Sequence, residues 1–327
     1  MNIISRRTFL RLAAAAGTLG ALSATGCASS AASTSSAAST PLSPEPQACF
    51  FLMSDVHISS GSDAATIRFR QALADINALE PKVDAIVVNG DLSDTGYAEE
   101  HEIFKQVVDE SAFDLDKDFV ISMGNHDYWY ADDASNTEMT QKQKDDFVAF
   151  YKLPGLYYDT TVAGQHVVVL GPDLFNPVHN WVHFDMTITQ LNWLDELLAA
   201  DAAKGVHTYV VCHEPLVDTV PGSEAGSWGS QNSFVDSDKI YAVVSKYPLC
   251  IFLTGHTHVF PGVEASDPNR PIFANDGSCA RSYRPGTGER GSWGLRMLVY
   301  GDHLEFGTRD FEEHHWEGDP IIVPFTR

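Results

Sequence analysis

Cysteine is scarce in this chain, and so is positive charge. Five cysteines occur in 327 residues, at 27, 49, 212, 250 and 279. They are too scattered for a zinc-binding pattern or a dense disulfide framework, and the last four read as buried thiols. Lysine and arginine total 21 against 44 acidic residues, a formal charge of -23, which argues against broad attraction to nucleic acid or to an anionic bilayer surface. No internal repeat is apparent. What is plentiful is core material: hydrophobic residues make up 44% and charged residues 20%, enough for one large packed core in one domain or two. An anionic ligand of so acidic a chain needs a local positive centre, and metal ions held by some of the carboxylates could supply it.

The first residues read as targeting rather than as structure. Ser5-Arg6-Arg7-Thr8-Phe9-Leu10-Arg11 places a twin arginine before a short, weakly apolar Ala/Leu/Gly stretch, a pattern similar to a Tat export signal. The stretch is too short and too rich in small residues for a good membrane span. It ends in Ala24-Thr25-Gly26-Cys27, which resembles a lipobox, with Cys27 as the acylated residue. The Ser/Ala/Thr/Pro composition that follows has no core-forming content and suits a flexible tether. The expected organisation is therefore a signal at 1–26, a linker at 27–48 beginning with lipidated Cys27, and one folded domain at 49–327, with ordinary signal cleavage near Cys27 and a soluble secreted product as the alternative. Export to an oxidising compartment leaves a disulfide among the remaining cysteines open.

From Cys49 onward short Val/Ile/Phe-rich runs alternate with amphipathic segments. Phe50 to Ser54, Ala85 to Asn89, Phe119 to Met123, Val167 to Leu170, Thr208 to Cys212 and Leu249 to Thr254 read as buried strands. Ala64 to Leu79, Ala98 to Val108, Thr187 to Ala203 and Asp236 to Lys246 have helical spacing, with Pro81 and Pro248 as stops. Such alternation predicts βαβ units, while Leu295 to Tyr300 and Leu304 to Gly307 read as a hairpin around Gly301-Asp302. Mixed sheets are expected.

Five of the strands are followed by residues able to bind metal: Asp55-Val56-His57, Gly90-Asp91-Leu92-Ser93-Asp94, Gly124-Asn125-His126-Asp127, His213-Glu214-Pro215 and Gly255-His256-Thr257-His258. Ligands of α/β proteins gather at the carboxyl ends of strands, so these distant residues are predicted to share one rim. Extended backbone would turn Asp55 with His57, and His256 with His258, to the same side. Glycines 90, 124 and 255 would permit the turns that aim the ligands inward.

In this order the five blocks strongly resemble the calcineurin-like metallophosphoesterase superfamily, and the likeness extends over roughly Cys49 to Arg309. It implies a four-layer α/β/β/α sandwich of two mixed sheets flanked by helices, and hydrolysis of small phosphate esters. It also implies two divalent cations (manganese, iron or zinc), with Asp55, His57 and His258 on the first, Asn125, His213 and His256 on the second, and Asp91 bridging. A hydroxide shared by the cations would be the nucleophile, and the centre's formal charge would be roughly +1. His126 would protonate the leaving oxygen or stabilise phosphoryl charge, with Asp94 orienting it and favouring its protonated form, while Asp127 would support the loop.

His57 stands where purple acid phosphatases have Gly, and Asp94 where they have Tyr; the arginine of protein serine/threonine phosphatases is missing at Thr95. The pattern looks most like the bacterial cyclic-nucleotide phosphodiesterase-like branch, which favours a phosphodiesterase. A phosphomonoesterase of the same fold is the alternative, and a non-catalytic metal-binding surface lipoprotein a third reading that the intact blocks disfavour. Tyr128-Trp129-Tyr130 could wall a substrate pocket or pack in the core. Val217 to Phe234, with Trp228, could be a lid or a plain loop. Arg281, Tyr283 and Arg284 could reach a phosphate. The histidines outside the blocks read as structural or surface residues.

Overall fold

A computed structural model of the protein describes residues 45–128, 137–174, 185–227 and 237–325. The expected signal, Cys27, Trp129-Tyr130, and residues 228–234 of the expected lid lie outside that range. The larger sheet runs β14 (His315–Trp316), β13 (His303–Asp310), β12 (Trp293–Val299), β1 (Ala48–Met53), β2 (Ala85–Asn89), β3 (Phe119–Ser122), with β15 (Ile321–Pro324) also on β13. The second runs β4 (Tyr158–Val162), β5 (Gln165–Val169), β6 (Thr208–Val211), β7 (Cys250–Thr254), β9 (Ile272–Asn275), β8 (Gly262–Glu264), and β10 (Ser282–Tyr283) pairs with β11 (Arg290–Gly291) as a separate ribbon. Both large sheets are mixed: β1, β2 and β3 are parallel neighbours while β12 joins β1 antiparallel, and β5, β6, β7 and β9 are parallel between antiparallel β4 and β8.

The period-two alternation of the strands explains the layers. Phe50, Leu52, Ala85 and Val87 from one sheet meet Val167, Val169, Tyr209, Val211, Ile251 and Leu253 from the other, making a core between sheets. Their neighbours Phe51, Met53, Ile86 and Val88 face outward onto α1 (Ala64–Ala78), α2 (Ala98–Asp109) and α3 (Thr137–Phe150). Val168, Val210, Cys212 and Phe252 face α4 (Ile188–Lys204) and α5 (Ser237–Val244). The result is the four-layer α/β/β/α sandwich, with strands buried on both faces and so read as continuous apolar runs.

Local chemistry sets the helices. Phe69, Ala72, Leu73 and Ile76 form the buried stripe of α1, each large member stabilising the fold by about 1.5–3 kcal/mol. Thr187 caps α4, accepting from Gln190 N at 3.2 Å, and Gly205 ends it at φ 69°. Cys49, Cys212, Cys250 and Cys279 are buried free thiols. One ion pair ties the first helix to the sheet behind it: Arg309 on β13 donates Nε and Nη2 to both oxygens of Asp75 on α1, at 2.7 and 2.8 Å, both residues buried. Truncating one partner would strand the other's charge. Asp75→Ala is expected to lower stability by about 3–5 kcal/mol in urea denaturation, and a loss under about 1 kcal/mol would show that the pair is solvent-screened.

Candidate metal centre

The five blocks leave β1, β2, β3, β6 and β7, so three ligand loops come from one sheet and two from the other, and they meet over the seam. Asp55, His57 and His258 bring one ligand atom each within 4.8 Å of one another; so do Asp91, His213 and His256, and so do His57, Asp91 and His126. Asn125 opens a 3-10 turn after β3 and places Oδ1 3.1 Å from His256 Nδ1.

The backbone reaches this arrangement by a route other than the expected one. Asp55, His57, Asp91, His256 and His258 have φ of 50, 49, 52, 64 and 51°, the left-handed region rather than extended strand. The i, i+2 pairs do reach one pocket, but through tight turns that alternate handedness around buried Val56 and Thr257. Non-glycine residues held there store strain that the surrounding contacts must offset, a common mark of functional loops. Glycines serve mainly as space. Gly90 does combine φ +81° with room, since a Cβ there would meet His213 Nδ1 at 2.5 Å. At Gly124 a Cβ would run into the backbone nitrogen and carboxylate of Asp91.

Hydrogen bonds fix which atom of each side chain faces the pocket. His57 Nδ1 donates to Asp94 Oδ1 at 3.2 Å, His258 Nδ1 to Arg281 O at 3.1 Å and His213 Nδ1 to Asn89 O at 2.7 Å. Those partners only accept, so each Nδ1 carries the hydrogen and each Nε2 presents a lone pair inward. The carboxylates are sorted in the same way. Asp55 Oδ2 accepts from Ser54 Oγ and from His256 N, and Oδ1 turns inward, buried without a hydrogen bond, 3.0 Å from His258 Nε2. Asp91 Oδ1 accepts from His126 N at 2.8 Å, and Oδ2 turns inward, 3.1 Å from His213 Nε2 and 3.8 Å from His57 Nε2.

His256 Nδ1 lies 3.1 Å from Asn125 Oδ1 and 3.3 Å from His213 Nε2, two acceptors to which it can donate, whereas His57 Nε2 and His258 Nε2 meet lone pair to lone pair at 3.0 Å. That last contact repels unless positive charge lies beside it, and the titration behaviour has the same sign. Burial opposes a charge on His57, yet the carboxylate of Asp55 nearby and the bond to Asp94 carry it up to about 10. Burial likewise opposes a charge on His213, but Asp91 and Asp55 push it well above the usual imidazole range. Burial would raise Asp55, and His258 and His213 hold it well below the usual carboxylate range. Imidazole, carboxylate and amide oxygen donors, buried or partly buried and preorganised, fit a divalent transition metal.

The flanking residues differ in part from expectation. Asp94 gives its carboxylate to His57, and only its backbone carbonyl, 2.6 Å from His126 Nδ1, holds His126. Burial lowers the pKa of His126, while the charges of Asp91 and Asp94 pull it upward. Asp127 accepts from Ser93 N, Ser93 Oγ and Gly124 N at 2.9, 3.1 and 2.9 Å, clamping the Asp91 loop to the Asn125 loop. Arg284 is engaged with Glu289 and Glu317 and lies 3.8 Å over the Phe260 ring, which leaves it a packing role. Tyr128 is buried. Sequence reasoning missed Asn89 and Ser54, which hold His213 and Asp55 from behind, and Asp276, which is hydrogen-bonded to Ser54. Asp276 carried a usable signal, because it directly follows β9 as the ligand blocks follow their strands.

An α/β/β/α sandwich with a buried imidazole-carboxylate pocket at its strand ends defines a metal-dependent hydrolase. The chain belongs to the calcineurin-like phosphoesterase family, whose model matches residues 50–260, and it is a metal-dependent phosphoester hydrolase. It is 22% identical over 291 residues to a probable cyclic nucleotide phosphodiesterase of Rhodococcus erythropolis, covering 85% of this chain and 88% of that one. It is 28% identical over 183 residues to a cAMP/cGMP dual specificity phosphodiesterase of Mycobacterium tuberculosis, covering 54% and 52%. Among solved structures it resembles a dimetal phosphatase from Danio rerio, with TM-score 0.60, 13% identity and coverage of 86% and 100%.

The closeness of Gly124 to Asp91 yields a direct test. Gly124→Ala is expected to lower cation affinity by about 10–100-fold, read by competition with a chromogenic chelator, because the methyl group displaces backbone as well as carboxylate. Wild-type affinity in the folded variant would show that the loops are not packed this tightly.

Proposed function

We propose that the chain hydrolyses phosphodiesters at a pair of divalent cations, one held by Asp55, His57 and His258, the other by Asn125, His213 and His256, with Asp91 between them. The observation that carries this reading is the pair of inward lone pairs on His57 and His258 beside the inward carboxylate oxygens of Asp55 and Asp91, which positive charge reconciles. Manganese, iron and zinc all suit the donor set. When bound, a cation pair neutralises phosphoryl charge and lowers the pKa of water, the chemistry a phosphoester hydrolase requires. The names of the two bacterial relatives support a diester over a monoester.

The protein's own groups divide the remaining work. Asp94 O orients His126 through Nδ1, which sets the ring to meet the leaving oxygen. His126 is uncharged by preference, and a phosphate anion placed beside it would favour the protonated form, so proton affinity rises when substrate arrives. His57 stands edge-on to His126 at 4.6 Å between ring centroids and fixes its outer side.

His126→Ala is expected to keep wild-type cation content while turnover of bis(p-nitrophenyl) phosphate falls by about 10²–10⁴. Unchanged turnover would remove the assigned role. On the wild-type protein, the diester is expected to react faster than p-nitrophenyl phosphate; the reverse order would favour the phosphomonoesterase.

We further propose export by the twin-arginine signal and anchoring through acylated Cys27. Supporting this are Arg6-Arg7, Ala24-Thr25-Gly26-Cys27 and the Ser/Ala-rich segment after it. Cys27→Ala is expected to move the protein from the membrane fraction to the soluble fraction of cells; retention in the membrane fraction would contradict the anchor.

A further inference from the structure

Behind the metal-facing side of Asp55 lies a second buried acid. Ser54 Oγ is within hydrogen-bonding reach of three oxygens: Asp55 Oδ2, Asp276 Oδ1 at 2.7 Å and Gly277 O at 3.1 Å. A hydroxyl has one hydrogen, so it can donate to one of them. Asp276 directly follows β9, its backbone N donates to Thr254 O at 3.0 Å, and its second oxygen, Oδ2, is buried with no hydrogen bond. Ser54, Asp55 and Asp276 are all buried. Two ionised carboxylates around one hydroxyl, with an oxygen of one stranded in the core, would be heavily penalised. A single arrangement satisfies the geometry: Asp276 keeps its proton and donates it to Ser54 Oγ, and Ser54 donates to Asp55 Oδ2. Burial also pushes the Asp276 carboxyl well above the usual range, with the Asp55 charge adding to it against the Ser54 bond.

We propose that Asp276, as a neutral acid acting through Ser54, is a positioning residue that ties down Asp55 Oδ2 and so aims Asp55 Oδ1 at the cation shared with His57 and His258. This rests on the reading of Asp55 as a metal ligand given above. The chain Asp276–Ser54–Asp55 has a fixed polarity. His256 N supplies the second donor to Oδ2 at 3.0 Å, so that oxygen is saturated while Oδ1 has no competing donor. Loss of the relay would let the carboxylate rotate, and the effect would fall on one cation rather than on both. Of the other set, His256 meets this carboxylate through its backbone N at 3.0 Å and His213 Nε2 lies 3.9 Å from Oδ1, whereas His258 Nε2 is 3.0 Å from Oδ1.

The test compares full-length wild-type protein with Asp276→Asn, Asp276→Ala and Ser54→Ala, titrating Mn²⁺ or Zn²⁺ by calorimetry and recording thermal unfolding without metal. An amide can donate where the acid does. Asp276→Asn is therefore expected to bind both cations within about threefold of wild type, whereas Asp276→Ala loses about tenfold or more at one site and little at the other. A merely structural role would not reproduce that split or its rescue by asparagine. Should Asp276→Ala fail to fold, Ser54→Ala is expected to show the same one-site loss, and wild-type binding there would overturn the proposal. Wild-type binding at both sites in Asp276→Ala, or an Asp276→Asn variant as impaired as the alanine, would overturn it too. A wild-type chain that binds no cation would overturn the metal-centre reading itself, an outcome distinct from the other two.

Discussion

The rest of the structure answers to an electrostatic constraint: imidazole, carboxylate and amide groups from five loops crowd one pocket, with lone pairs of His57 and His258 facing each other. Left to themselves they repel, at distances where water would ordinarily separate them. Positive charge among them turns the repulsion into the strongest local attraction in the molecule. The left-handed backbone at five of the ligand positions and the close packing at Gly90 and Gly124 become intelligible as conditions for bringing those atoms so near.

The two-sheet fold makes that crowding possible. Each strand delivers its loop to the same rim, and the sheets are clamped by an apolar core below it, so the ligand loops are anchored at their roots. Partners behind the ligands then choose which atom points inward. Asn89 O, Arg281 O and Asp94 occupy one nitrogen of each of three imidazoles, while Ser54 and two backbone amides occupy the outer oxygens of Asp55 and Asp91. An acidic protein thereby concentrates a demand for cations in one place, which suits it to an anionic substrate that its overall charge of -23 would otherwise repel.

Much of this could be read from the residues, for identifiable reasons. Strands buried on both faces, such as Ala85–Asn89 and Cys250–Thr254, announce themselves as unbroken apolar runs. Asp, Asn and His placed just after them mark the rim. Of the strands that escaped notice, β4, β8, β14 and β15 lie toward sheet edges, where burial is partial, whereas β9 is fully buried inside its sheet but only four residues long. Helix α3 went unread because its run of Gln, Lys and Asp hides a short apolar stripe. Handedness at Asp55 and His57 was invisible because nothing in Asp-Val-His distinguishes a strained turn from a strand. The partner of the Asp94 carboxylate was likewise hidden, since that choice depends on how two loops from different strands settle against each other.

The most direct examination of the central claim is anomalous diffraction from crystals of the protein grown with Mn²⁺ or Zn²⁺. Two peaks about 3.5–4 Å apart are expected, one against Asp55, His57 and His258, the other against Asn125, His213 and His256, with Asp91 reaching both. A pocket holding only ordered water, with the imidazole nitrogens of His57 and His258 still facing each other, would contradict the account.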